Sequence, residues 1–406
     1  MTDDVAGKDE VQGRTRKEMQ FAMLVAAAGL VIGLRYYAEL WVFEPNGLSR
    51  LSDRLPYWDF TNLWAGTRMA IEGHVAWLFD MESYRAGLRA MFSPDLPDQE
   101  WSYPPSMLLI GLVPALLPIF WAYLVWTAGT IAAFRLSLRL LPLPAGIGWA
   151  VALSPAVVTS AIFGQNGALT AALLVSSLAL SRRNPLLSGI LAGLLTVKPH
   201  LGILLPFAFM ASGNWRAFLS AALTAGLMVV VTGSVFGFEV WQLFYDRTRP
   251  LMSAIMEAPY PQLYHANALT FFILGRSLGL SVNGSYLFQA VFTLASILAV
   301  VWMWRRASEV RFADRVVLTA LLTICATPYG YTYDAAPYSL AVAWFFVRAR
   351  SPNRYVFCLL WIYPYLAHLP NFNGIGAGIL VPAGLAAYGL REVLRDSVPK
   401  TALTAS

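Results

Sequence analysis

Long apolar runs, separated by short arginine-bearing loops, recur from Phe21 almost to the C-terminus. A chain with that pattern has few ways to fold. Many of the runs are long enough to cross, or nearly cross, a hydrocarbon core of about 30 Å. They lack the apolar/polar alternation that a transmembrane barrel requires. Charged residues form 13% of the chain and hydrophobic ones 57%, against roughly 25% charged in soluble domains. The pattern predicts an all-α polytopic membrane protein. The formal charge of +6 reflects arginines of the kind that collect in cytoplasmic loops and predicts no nucleic-acid partner. Cys325 and Cys358 lie in apolar runs and read as packed small side chains rather than a disulfide or a metal pair.

Arg14, Arg16 and Lys17 precede the first run, which predicts a cytoplasmic N-terminus. Residues 1–20 read as a disordered cytoplasmic tail rather than a cleaved signal peptide. Residues 21–395 then form one membrane domain, and residues 396–406 a second cytoplasmic tail. The polar segment 44–103 is too long for a simple turn and reads as the first outer loop. Within it, Thr61–Ile71 and Glu82–Met91 mix apolar and charged residues at helical spacing, as interfacial helices do. Pro114 and Pro118 divide or kink the run 106–140, which counts as one crossing. Residues 268–280 read as a periplasmic or interfacial helix. Alternation of the arginine-rich loops then gives about 12 transmembrane helices in the inner (plasma) membrane, with both termini inside.

That topology sends His74, His200, His265 and His368 to the outer, periplasmic face. Gln165, Asn166, Lys198, Asn267, Asn371 and the cluster Tyr329–Asp334 go with them, on the side that carries Asp59. Ionisable groups near a membrane interior are costly, so such a gathering marks a functional site.

A sugar transfer at a membrane surface needs a base for the acceptor hydroxyl, a partner for the departing phosphate and exclusion of water. Asp59, between Trp58 and Phe60, is the candidate base; aromatic neighbours raise a carboxyl pKa by desolvation. It equally fits the N-cap of a helix starting near Phe60. Lys198 is the only lysine between Lys17 and Lys400. With His200, Arg247 and Arg249 it is the candidate donor-phosphate site, although a lysine at a helix end also snorkels. Candidates for sugar or acceptor binding are Tyr103, Gln165, Asn166, His265, Asn267, Tyr331, Asp334 and His368. Gly164-Gln-Asn-Gly167 doubles as a tight turn, and the tyrosines of 329–334 double as an interfacial belt. No phosphate-binding glycine loop and no zinc-spaced His/Cys set appears, so neither a nucleotide-sugar, a metal nor another cofactor is expected.

In these features the chain resembles glycosyltransferase family 87. They are Asp59-Phe60, Gly73 followed by Trp77-Leu-Phe-Asp80, Tyr103-Pro-Pro105, Gly164-Gln-Asn166 and Gly193 followed by Lys198-Pro199, in that order over about the first half. The family includes polyprenyl-phosphate-mannose-dependent mannosyltransferases. The resemblance implies a GT-C bundle with its site at the outer leaflet, a polyprenyl-phosphate-sugar donor, a lipid or glycan acceptor, and inverting, metal-independent transfer with Asp59 as base. No second acid adjoins Asp59, unlike in metal-dependent relatives. The alternatives are a transporter or flippase of a lipid-linked sugar, which usually shows internal repeats not found here, and a non-catalytic partner in envelope polysaccharide assembly.

Overall fold

The computed structural model describes residues 2–348 and 354–397, and every named element among them is helical. The first half holds α1 (Thr2–Glu39), α2 (Trp58–Ile71), α3 (Met81–Met91), α4 (Met107–Ala115), α5 (Ile119–Leu138), α6 (Ala145–Ala152), α7 (Pro155–Phe163), α8 (Gly167–Leu180) and α9 (Pro185–Leu194). The second holds α10 (Leu205–Ala211), α11 (Trp215–Phe236), α12 (Glu239–Leu243), α13 (Arg249–Glu257), α14 (Phe271–Ser277), α15 (Val282–Arg305), α16 (Phe312–Ala326), α17 (Ala336–Arg348), α18 (Arg354–Leu366), the single turn α19 (Leu369–Phe372) and α20 (Leu380–Ser397).

Local chemistry sets the boundaries. Asp80 accepts from the Ser83 amide at 2.9 Å and opens α3. Asn184 and Asn214 cap α9 and α11 through the Leu187 and Ala217 amides. Such caps satisfy first-turn donors that have no partner within the helix. Pro118 separates α4 from α5, and Pro155 occupies the first turn of α7, where its missing N–H costs nothing. Gly164, in the left-handed region at φ +68°, ends α7.

Among the described residues six helical segments are long and apolar enough to cross a membrane: 16–39, 119–138, 145–163, 215–236, 282–305 and 377–396. The remaining apolar helices are shorter, because Pro and Gly punctuation breaks them. The two helices expected inside the polar segment 44–103 are present as α2 and α3. Residues 2–20, expected to be an unstructured tail, continue the first helix as part of α1; they contain no proline and many good helix formers. Beyond residue 397 the expected C-terminal tail lies outside the described residues.

Two cores matter for the site. The larger is built on α8, α16 and α17, whose residues are buried almost throughout. The smaller packs α2 and α3 against α4 and α5 around Phe60, Met69, Trp101 and Tyr123. Helices α9 and α11 meet through small residues. A Cβ on Gly189 would stand 2.3 Å from the Ala217 carbonyl, and one on Gly193 would stand 2.5 Å from Thr224 Cβ, so the backbones touch.

Polar groups sort to opposite ends of α16 and α17. At one end Asp314 binds Arg311 and Arg348, accepts from Trp344 Nε1 at 2.7 Å, and shares both arginines with Asp396 of α20. The loop at the other end carries Tyr329–Asp334.

Candidate active site

Three chain segments converge on the start of α2. Asp59 sits in the first turn of that helix, but Tyr57 is the N-cap and no side chain caps it. The N-cap role that the sequence allowed is therefore not taken, and the carboxyl is free for other partners. The turn between α7 and α8 packs directly on α2: a Cβ on Gly164 would stand 2.5 Å from Phe60 Cβ. Ser160 fixes this turn, its hydroxyl donating to the Gln165 carbonyl at 3.3 Å and accepting from the Gly167 amide at 3.1 Å. On its other side a Cβ at Gly167 would lie 1.9 Å from the Tyr333 carbonyl. Two glycines thus bring the α7–α8 turn against α2 on one side and against the 329–334 loop on the other.

Lys198 enters from a fourth segment. Residues 195–197 and 199–202 form two 3₁₀ turns with Lys198 between them outside the helical region (φ −142°, ψ 70°), as the α region is disfavoured before proline. The break turns the side chain inward. Its Nζ donates to Asp334 Oδ1 at 2.5 Å and to Asn166 Oδ1 at 3.1 Å, and it stands 5.0 Å from the centre of the Tyr333 ring. Lys198, Asp334, Asn166, Gln165 and Tyr103 are all buried. Asp334 Oδ2 and Asn166 Nδ2 are buried with no partner, an arrangement that costs free energy unless something else binds there.

Asp59 is half-buried. Desolvation lifts its carboxyl from 3.8 to about 6, with Asp334 adding to the rise; a hydrogen bond from Gln165 and the charges of Lys198 and Arg54 hold it from going higher. A carboxyl poised there is ionised at neutral pH yet basic enough to take a proton.

Next to these groups opens a cleft of ≈ 550 Å³, lined by Tyr103, Gln165, Lys198, His200, Arg249 and Tyr333 among others, with α11 and α13 forming its far wall. His200 Nε2 is buried without a partner, and its ring meets that of Tyr329 edge-on at 5.2 Å. Arg249 is exposed and stacks on Tyr245 at 4.9 Å. An apolar groove of ≈ 420 Å³ between α9, α10 and α11 shares Thr196, Pro199 and Ala225 with this cleft.

Other residues singled out in the sequence fall elsewhere. Arg247 reaches the Phe79 carbonyl at 3.5 Å and lines a different cleft from Arg249, because helical residues two apart face different directions. Tyr331 is buried, donating to Tyr264 Oη at 2.6 Å and stacking on Tyr333. Asn267 accepts from Thr332 at 3.4 Å. His265 is buried, bonded to the Met256 carbonyl at 3.0 Å. Asn371 binds the carbonyls of His265, Ala266 and Ala268, which makes it a strut for that turn. His368 packs edge-on against Phe372 and does not line the cleft. The walls from α11 to α13, with Trp241, Phe244 and Met252, carry no local signal and were missed.

The fold and cleft define a helical membrane protein that gathers an acid, a buried ion pair, amides and tyrosines beside an apolar groove. Residues 101–328 match glycosyltransferase family 87, more than half of the chain, and the chain belongs to that family. The match includes Tyr103, Gln165, Asn166, Lys198, His200 and Arg249; Asp59 and the 329–334 loop lie outside it. No curated protein and no solved structure matches the chain. The protein is a membrane glycosyltransferase.

Proposed function

We propose that this enzyme moves a sugar, mannose in the first instance, from a polyprenyl-phosphate donor to a glycolipid or glycan acceptor at the outer face of the plasma membrane. The observation that carries the reading is Asp59: a half-buried carboxyl with its pKa near 6, hydrogen-bonded to Gln165, which lines a largely apolar cleft that runs into an apolar groove. The sugar occupies the cleft against Gln165, Asn166 and Tyr103. The prenyl chain leaves along the groove toward lipid. Arg249 and His200 meet the phosphate at the mouth, with Lys198 behind them.

Asp59 takes the proton from the acceptor hydroxyl as its oxygen bonds to the anomeric carbon. The bond from that carbon to the phosphate oxygen breaks on the opposite face, and polyprenyl phosphate departs with the electron pair. The configuration inverts, and no metal takes part. In this reading the bundle is of the GT-C type with about 12 crossings, both termini cytoplasmic and α2 and α3 at the outer interface.

The test is turnover of radiolabelled polyprenyl-phosphate-mannose by purified protein, with a membrane lipid extract of the source as acceptor and Asp59→Asn alongside. Label in a new glycolipid only with the unmodified protein is the expected result. Donor that stays intact while crossing sealed vesicles with the protein present would replace the transferase by a flippase.

A further inference from the structure

A second cleft, of ≈ 380 Å³, opens on the other side of the segment 99–103, within the size range of small-ligand sites (about 300–1,000 Å³). That segment is strapped to α2 next to Asp59. Gln99 Nε2 donates to the Trp58 carbonyl at 2.9 Å, and Asn62 Nδ2 donates to the Glu100 carbonyl at 2.8 Å and to Ser102 Oγ at 3.3 Å. Ser102 and Tyr103 face the first cleft, whereas Glu100 and Trp101 face the second. The same division separates Arg249 from Arg247.

Trp101 is the most telling group. It is only 1% exposed, and its Nε1 is buried with no partner. The Cε3–Cζ3 edge of its indole lies on Gly66, where a Cβ would stand 2.4 Å away; Nε1 is on the opposite edge. A buried donor without a partner, on a residue that lines a cleft, points to an acceptor atom supplied from outside the chain. The same cleft is lined by Arg247 and by two carboxylates that are each only partly engaged. Asp80 caps α3 through one oxygen, and Glu100 holds Arg85 through one oxygen. Two acids and one arginine disfavour an anion such as phosphate. Two donors disfavour a cation. Donors and acceptors interleaved around a small cavity suit a neutral ring bearing several hydroxyls, each of which gives and takes a hydrogen bond.

We infer that this second cleft binds a neutral sugar unit of the acceptor, seated between Trp101, Arg247, Asp80 and Glu100, on the far side of the 99–103 strap from the transferred sugar. The word acceptor rests on the transferase reading; the binding of a sugar does not, and it is measured apart from turnover. Arg247 thereby belongs to the acceptor rather than to the donor phosphate.

The experiment is saturation-transfer NMR on the full chain in lipid nanodiscs, with methyl α-mannoside, methyl α-glucoside and methyl β-galactoside as probes. At least one glycoside receives saturation from the unmodified protein. Trp101→Phe, which keeps a ring on Gly66 and removes Nε1, and Arg247→Gln each weaken that binding about tenfold, a hydrogen bond's share of affinity. Asp59→Asn leaves it unchanged. No transfer from any of the three glycosides, or an affinity that is undiminished in either cleft variant, overturns the inference. So does a signal lost in Asp59→Asn alone, which puts the sugar in the first cleft. Arg247 is exposed, so Arg247→Gln carries the test even if Trp101→Phe misfolds.

Discussion

Replacing Asp59 by asparagine keeps the shape of the side chain and removes its charge. The carboxyl titrates near 6 instead of 3.8 because burial disfavours its charged form. About two units of displacement correspond to about 3 kcal/mol at 1.36 kcal/mol per unit. The side chain is half-buried rather than sealed, and solvent screening leaves about 1–2 kcal/mol of that. The sign follows from the direction of the shift. A raised folded-state pKa contributes stability that is full below about pH 4 and is lost as the pH climbs through about 6. At pH 8 the native enzyme therefore carries an unfavourable buried charge that the asparagine variant lacks. Asp59→Asn is expected to melt a few degrees higher than the unmodified protein at pH 8, with the gap closing toward pH 4, while turnover falls about 10²–10⁴-fold. Paired thermal melts in detergent and donor turnover on the same preparations check both halves. A variant that melts lower at pH 8 would show the carboxylate to be a net structural contact, through Arg54 or Gln165. Turnover close to that of the unmodified protein would end its role as base.

The buried pair predicts a different pattern. Lys198→Met or Asp334→Asn alone leaves a partner stranded and costs about 3–5 kcal/mol; the double variant recovers most of the melting temperature but not turnover, and single variants that melt normally would count against the pair. Removing the Gln165 hydrogen bond with Gln165→Leu lets the Asp59 pKa rise, so the acid limb of the kcat/KM profile moves to higher pH; an unmoved limb breaks the link. For topology, a cysteine at exposed Asn373 is labelled by an impermeant maleimide on intact cells and one at exposed Asn184 is protected, against a low background because Cys325 and Cys358 are buried; the reverse labelling would turn the site to the cytoplasm.

Hydropathy and punctuation carried the class of fold. Apolar runs define a helical membrane protein, Pro118 separates two helices where it was expected to, and 3.6-residue spacing marks α2 and α3 inside an otherwise polar stretch. Hydropathy did not reveal how the shorter runs divide. The segment 145–163 is long enough to span yet breaks at Ser154-Pro155, and the run through Lys198 is split into two 3₁₀ turns. Length along the chain says nothing about such breaks. α1 extends to Thr2 through a stretch where polar composition points to a tail and helix propensity to a helix.

The site was legible as chemistry but not as geometry. A solitary lysine and an acid set among tryptophans stand out in any apolar chain. Sorting residues by side of the membrane is a one-dimensional operation, however, and it put His265, His368 and Asn371 in the same group as Lys198 although none of them lines the cleft. The pairing of Lys198 with Asp334, 136 residues away, has no local signal at all. That pairing changes the electrostatic reading. With Lys198 paired to Asp334, Asp59 is the unpaired member of the trio. Under the proposed mechanism the departing phosphate then finds its cation in Arg249, which lines the cleft, rather than in Lys198 alone. Under the proposed mechanism the Asp59 carboxylate also suits the sugar, whose ring becomes oxocarbenium-like as its bond to phosphate breaks; fixed negative charge placed beforehand beside a developing cation lowers that barrier. In the proposed mechanism the buried ion pair engages Asp334 with Lys198, which leaves Asp59 as the acid open to the acceptor's proton.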